Sequence, residues 1–338
     1  MAFKQRARLF ESIDYFVVRH LVVAQTQSVF PLRSSHTQTE VCVTVSGNAL
    51  QTITIALVQR PLNLISDSPL VQETFDFVLE SGGRATFTEI SNSIFHLANA
   101  TEDLAASLVA DLVQNDPRFT IEAMHLTIRP NETETQSLGD IEFVVVDVEA
   151  TAGKSIPTRL IEIGACRVSN GEIVAEFETL VNPELPLPPF ISALTGITED
   201  LLATAPSFSA IAEPWLNFAG DAVLAAHNSN FDVTLLNQEI ARVFPGCRMR
   251  NTELCTVQLA RRMMPDLEKH HLDALANHFG FQITERHRAA GDARATARVL
   301  LHLIDELEIR GVRTLGEARK YRARRNREQP ELQLAFDS

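Results

Sequence analysis

The sequence predicts an α/β fold: a mixed sheet flanked by helices, preceded by a smaller helical module. Three observations carry this. "FVVVDVEA" at Phe143–Ala150 runs four apolar residues into Asp147, as a central strand does. Two more strand-like runs, "RLIEIGACRV" and "EIVAEFETLVNP", follow with only the turn "SNGE" between them. The strand "AVLAAH" then alternates with helical patterns that end in a long one from about Ala289 to Ile309. Adjacent strands on short connections followed by a strand among helices make a mixed sheet with covered faces.

Composition sets the frame for each element. A chain of 338 residues can bury a core in each of two domains. Hydrophobic residues at 45% and charged residues at 22% are ordinary for a globular protein, and the formal net charge is -13. That overall field repels phosphate, so a nucleic-acid partner must be met by local basic patches or bound cations. The four cysteines, Cys42, Cys166, Cys247 and Cys255, contain no C-x-x-C pair and read as reduced thiols of a cytoplasmic protein. Arg19 and His20 interrupt "YFVVRHLVVA", so no run reaches the roughly 18 apolar residues of a membrane span. No targeting segment and no membrane partner are expected.

Residues 1–66 carry no site signal. From Leu21 to Ile65 the only Lys, Arg, Asp or Glu residues are Arg33, Glu40 and Arg60. Alternation in "TEVCVTV" and "TITIALV" around "SGNALQ" predicts a hairpin.

Residues 67–130 predict three helices and a hairpin. Ser68 and Pro69 open the first helix as N-cap and first helical residue, and Gly82–Gly83 closes it. Thr86 and Glu89 form a capping box for a second helix, through Leu97. Thr101 caps a third, with Glu102 and Asp103 favoured by the dipole in its first turn and Pro117 beyond its end. "RFTIEAMHLTIR" alternates across a tight connection. This order resembles a winged helix-turn-helix, which implies DNA binding by the third helix. That helix carries Glu102, Asp103 and Asp111 and no Lys or Arg, which favours a docking or positioning module.

Residues 131–140, "NETETQSLGD", read as a polar linker, and 141–309 as the α/β domain. Helices are expected near Ser207–Phe218, from about Phe231, at Thr256–Met264 and at Leu272–Phe279.

Asp147 and Glu149 lie two apart on a strand and face one way. Like charges that close raise each other's pKa, which suits either a metal or a solvent-exposed strand end. Asp232 follows in "AAHNSNFDVTLLN", near a helix start. His287 and Asp292 sit five positions apart in "HRAAGDARATARVL", a little over one helical turn, so both can reach one pocket. Taken singly, an aspartate here can simply favour a helix N-terminus, and the histidine can be a surface residue. The adjacent His270 and His271 lack an accompanying Cys or carboxylate pattern and are not read as ligands.

Taken together, D-x-E at a strand end, then "HNSNFD", then H-x-x-x-x-D opening a helix resembles the DEDDh family of 3′-to-5′ exonucleases, which includes the proofreading epsilon subunit of bacterial DNA polymerase III. The likeness runs from about Phe143 to Ile309 and extends to "TLVNPELPLPPFISALTGIT", "LCTVQLARRMMP" and "LDALANHFG". It implies a ribonuclease H-like fold and a metal-dependent exonuclease that hydrolyses DNA to mononucleotides from 3′ ends, single strands preferred, in proofreading or repair. It implies two divalent cations, Mg²⁺ or Mn²⁺. Asp147 would bridge them, Glu149 and Asp292 would complete one site, Asp232 would support the other, and His287 would be the general base. Ala150, Thr151, Leu194, Thr195, Gly196, Ile197, His227, Asn228 and Phe231 would cradle the terminal nucleotide. Ala150 departs from the threonine common at that place in the family. Rival readings are an RNA 3′-exonuclease and a DNA-binding or scaffolding protein.

Residues 310–338 form a basic tail: Arg310, Arg313, Arg319, Lys320, Arg322, Arg324, Arg325 and Arg327 precede "ELQLAF". The run suits a solvated helix end or phosphate contact. "ELQLAF" resembles the motif by which replication proteins hold the sliding clamp, implying contact through Leu334 and Phe336, and a DNA polymerase is a second implied partner.

Overall fold

The computed structural model describes residues 29–31, 38–45, 51–58, 63–114, 116–151 and 157–323, and divides between Pro61 and Leu62 into two units. In the first unit β1 (Val29–Pro31), β2 (Gln38–Val45) and β3 (Gln51–Val58) pair antiparallel in that order. Val45 stands opposite Gln51, the hairpin that the alternation predicts.

The second unit begins with β4 (Leu64–Ser66) and α1 (Pro69–Glu80), whose N-cap is Ser68. The helix buries Val71, Thr74 and Val78 and stops where Gly82 and Gly83 take φ of +83° and +84°, a left-handed backbone that glycine adopts without penalty. Next come β5 (Arg84–Thr86) and α2 (Phe87–Ser93), where Thr86 and Glu89 make the reciprocal capping box. This helix ends four residues short of the expected Leu97, because the chain turns at His96, which has φ 57°, and Leu97 N–H donates to Ser91 O at 3.1 Å. Then α3 (Glu102–Val113), capped by Thr101, leads to the hairpin of β6 (Phe119–Glu122) and β7 (His125–Ile128). β5 joins that hairpin in the order β5-β7-β6, and Val78, Phe87, Ile90, Val109 and Leu126 fill the core beneath.

The main sheet follows: β8 (Phe143–Ala150), β9 (Leu160–Ser169) and β10 (Glu172–Leu180). Asn170 and Gly171, at φ 52° and 78°, turn the β9–β10 hairpin. After α4 (Pro189–Thr195), α5 (Glu199–Ala203) and α6 (Phe208–Ala219) come β11 (Val223–Ala226) and α7 (Ser229–Val243). The chain continues through β12 (Cys247–Met249), β13 (Glu253–Cys255), α8 (Thr256–Met263), α9 (Leu272–His278), α10 (Ala289–Ile309) and α11 (Leu315–Lys320).

The sheet order is β10-β9-β8-β11-β13; β8 and β10 run antiparallel to β9, and β8, β11 and β13 run parallel. Alternation along β8 splits its side chains between two cores. Phe143 and Val145 pack under α8 to α11, whereas Val144, Val146 and Val148 pack with Phe208, Trp215 and Leu236 of α6 and α7. Asp147 and Glu149 therefore continue the Phe143–Val145 row, on the α10 side. Cys166 lies in the same core, and burial pushes its thiol up to about 12, so it stays protonated.

The segment 131–140, expected as a linker, is fastened at both flanks. Leu138 is buried in the α10 core, its N–H donates to Arg313 O at 2.8 Å, and Glu134 pairs with Arg319. The reason is Leu138 itself, one apolar residue in a polar run. Similarly, β4 pairs with β12, and α11, within the expected tail, buries Leu315 and Ala318. The compact unit thus extends beyond 141–309 at both ends. Arg324, Arg325, Arg327, Leu334 and Phe336 lie outside the described residues. No helix among the described residues is long and apolar enough to cross a membrane.

Candidate active site

The site forms where β8 ends against the start of α10. Asp147 and Glu149 are half-buried there, and Asp292 is buried in the first turn of α10. One carboxylate oxygen from each lies within 4.8 Å of the others. Asp232, in the first turn of α7, is buried beside them, and Val148 N–H donates to its Oδ1 at 3.2 Å. One strand thus presents Asp147 and Glu149 by side chain and holds Asp232 by backbone.

This concentration of acid shapes its own ionisation. Burial, then the charges of Asp232, Asp292 and Glu149, hold Asp147 well above the usual carboxylate range. Burial, then Glu162 and Asp292, pushes Glu149 up to about 7. Burial also raises Asp232 to about 7, against the hydrogen bonds of its own and the Val148 N–H, and raises Asp292. Carboxylates that repel one another in a dry setting ask for positive charge. Asp292 offers a specific place for it: its Oδ1 is buried with no hydrogen-bond partner among the described residues. Hard oxygen donors, one left unsatisfied, fit a divalent cation.

His287 is half-buried in the turn before α10, and its N–H donates to Asp292 Oδ2 at 3.2 Å. Glu285 and His287 take φ of 57° and 62°, left-handed conformations that cost non-glycine residues about 1–3 kcal/mol each. The turn is held by packing: a Cβ on Gly291 would come within 2.3 Å of Glu285 O. Across their five-residue spacing, His287 and Asp292 are joined by the His287 main-chain N–H.

Residues expected to cradle a nucleotide divide into two kinds. Leu194 and Phe231 are 52% and 42% exposed, open to a ligand. Gly196 ends α4 at φ 73°, and Asn228 caps α7 at φ 83°. His227 accepts or donates at Nδ1 with Thr256 Oγ1 at 3.0 Å, its Nε2 is buried without a hydrogen-bond partner among the described residues, and burial pushes it down to about 4. It is therefore a neutral imidazole at pH 7. The other kind is occupied internally. Thr151 Oγ1 donates to Pro157 O at 3.0 Å and accepts from Arg159 N–H at 2.9 Å. Thr195 Oγ1 donates to Ile191 O and accepts from Ile197 N–H, and Ala150 and Ile197 are buried.

Three charged residues escaped the sequence reading. Glu162, fully buried on β9 opposite Glu149 of β8, accepts from Arg288 Nε at 3.0 Å and from Ala289 N–H at 2.9 Å, anchoring the start of α10. Arg286 binds both Asp273 and Asp292. A lone acid inside the apolar run "LIEIG" is the one signal that could have found Glu162. Nothing local marks Arg286 or Asp273. His270 and His271 serve structure: His270 Nε2 lies 2.9 Å from Met264 O, and His271 caps α9.

The RNase_T exonuclease family pattern matches residues 144–300. The chain is 39% identical over 184 residues to a DNA polymerase III PolC-type protein of Caldanaerobacter subterraneus subsp. tengcongensis, covering 54% of this chain and 13% of that one. It thus spans only a small part of that relative's length. It is 36% identical over 171 residues to DNA polymerase III subunit epsilon of Aquifex aeolicus, covering 51% of this chain and 84% of that one. A solved structure, Exonuclease X in complex with 5′ overhanging duplex DNA, is 28% identical over 50% of this chain and 93% of that one, with a TM-score of 0.40. With most of the Aquifex aeolicus subunit spanned at that identity, this chain belongs to the exonuclease family that includes the DNA polymerase III epsilon subunit.

Proposed function

We propose that this chain is a metal-dependent 3′-to-5′ exonuclease that hydrolyses DNA to mononucleotides, in proofreading or repair. One observation carries the reading: Asp147, Glu149 and Asp292 converge within 4.8 Å, with Asp232 held beside them by the strand that presents the first two. By family likeness, Asp147, Glu149, Asp232 and Asp292 would together hold two divalent cations, Mg²⁺ or Mn²⁺. When bound, such cations supply Lewis acidity and charge for the phosphoryl oxygens. By the same likeness, His287 takes the proton of the attacking water as general base. A new phosphorus–oxygen bond forms as the bond to the leaving 3′ oxygen breaks, and that oxygen gains a proton.

Leu194, Gly196, His227, Asn228 and Phe231 border the terminal nucleotide in this reading, while Ala150, Thr151 and Thr195 support them from within. Exposed Phe231 suits stacking on a base without reading its identity. In this reading the 3′ end that enters is single-stranded.

The order α1-β5-α2-α3-β6-β7 supports reading residues 67–130 as a winged-helix-like module. Exposed Glu102, Asp103 and Asp111 on α3 support docking or positioning rather than DNA reading. Polymerase III relatives support a polymerase partner, and "ELQLAF" a sliding clamp; equal recovery of clamp by the chain and by its Leu334→Ala, Phe336→Ala variant would sink the latter.

The central test uses a 3′-labelled single strand. Asp147→Ala and His287→Ala should abolish cation-dependent release of mononucleotides while the chain stays folded; digestion at the wild-type rate by either variant overturns the assignment. Running DNA and RNA of one sequence side by side decides the sugar preference.

A further inference from the structure

Asp292 uses its two oxygens differently. Oδ2 accepts from Arg286 Nη1 and from His287 N–H, whereas Oδ1 is buried and has no hydrogen-bond partner among the described residues. Arg286 is gripped from its other side by Asp273 in the first turn of α9: Nε lies 3.2 Å from Oδ1 and Nη2 lies 3.3 Å from Oδ2. The result is a continuous chain, Asp273–Arg286–Asp292, from α9 across the turn to α10. Its backbone has little room to shift, because the turn abuts Gly291 so closely that a Cβ there would meet Glu285 O at 2.3 Å and Thr284 O at 2.6 Å.

We propose that Arg286 is a positioning residue: held by Asp273, it occupies Oδ2 of Asp292 and so leaves Oδ1 available to a divalent cation. This rests on the reading of Asp292 as a cation ligand given above. A ligating carboxylate that is itself hydrogen-bonded is oriented before the ion arrives, and removing such a partner typically costs 10–100-fold in metal affinity or activity. An arginine bound to a carboxylate can also act in the opposite sense, as a stand-in that a cation must displace. The two roles predict opposite signs.

The experiment is a Mn²⁺ titration of the metal-free full chain, with free Mn²⁺ read by electron paramagnetic resonance and folding checked by circular dichroism. Arg286→Gln should weaken Mn²⁺ binding about 10–100-fold. Asp273→Asn should weaken it less, and the double variant should bind no worse than Arg286→Gln alone, because Asp273 acts through Arg286. Arg286→Lys should fall between wild type and Arg286→Gln, keeping the charge without the fork. Unchanged or tighter binding by Arg286→Gln overturns the proposal; if that variant does not fold, unchanged binding by Asp273→Asn does so. Wild-type Mn²⁺ affinity in Asp292→Asn overturns instead the underlying reading of Asp292 as a ligand.

Discussion

Gly164 stands directly across the β8–β9 ladder from Asp147, and a Cβ at Gly164 would lie 2.1 Å from Ala290 N. The start of α10 rests on bare backbone at that point, and this contact brings Asp292 to the end of β8. Small, buried Ala289, Ala290 and Ala293 complete the close approach.

Gly164→Ala should therefore separate the strand from the helix. The expected cost is about 3 kcal/mol from overpacking, read by urea unfolding, together with weaker Mn²⁺ binding. A variant as stable as wild type would mean that α10 does not need this contact.

Glu162 holds the same helix by charge. Glu162→Ala leaves Arg288 and Ala289 N–H without their buried acceptor and should cost roughly 3 kcal/mol. Glu162→Gln, which keeps an acceptor, should cost less. Equal unfolding midpoints for the two variants would exclude a role for that acceptor.

The raised acids set a pH dependence in the metal-free protein. Glu149 moves from 4.5 to about 7, so between those values the folded chain holds a proton that the unfolded chain has released. Stability is thus fully present below about 4.5 and falls as pH rises through about 7, by roughly 2 kcal/mol after allowance for solvent screening. Asp232, raised to about 7, acts in the same direction. Thermal melts in chelator should show the fall between pH 5 and pH 8, Glu149→Gln should flatten it, and Mg²⁺ at pH 8 should restore stability. A Glu149→Gln melt series that parallels wild type would remove Glu149 as the cause.

The first residues of the basic tail offer a separate test of phosphate contact. Ala323 N–H donates to Arg262 O at 2.8 Å, and Arg319 and Arg322 lie close enough that, after burial, their charges depress Arg262. Like charges gathered in a chain of net charge -13 suit a phosphate backbone. Arg322→Gln should weaken single-strand binding and reduce the salt slope by about 0.7 per lost contact. An unchanged slope would leave the tail as a solvated surface.

Much of this protein was legible in sequence because its signals are local. Strand periodicity alone puts Asp147 and Glu149 on one face, caps such as Ser68, Thr86 and Thr101 mark where helices begin, and five-residue spacing keeps His287 within a turn of Asp292. Resemblance supplied the grouping of Asp147, Glu149, Asp232 and Asp292, which no periodicity encodes. Only the tertiary structure decided which neighbours these acids meet. Glu162 reaches Arg288 across 126 positions, and Asp273 meets Arg286 across 13. It also decided that Leu138 anchors a segment that reads as a linker, and that Thr151 and Thr195 spend their hydroxyls inside. The physical reason is that side-chain periodicity is a property of one element, whereas a buried charge is satisfied by whichever element packs against it.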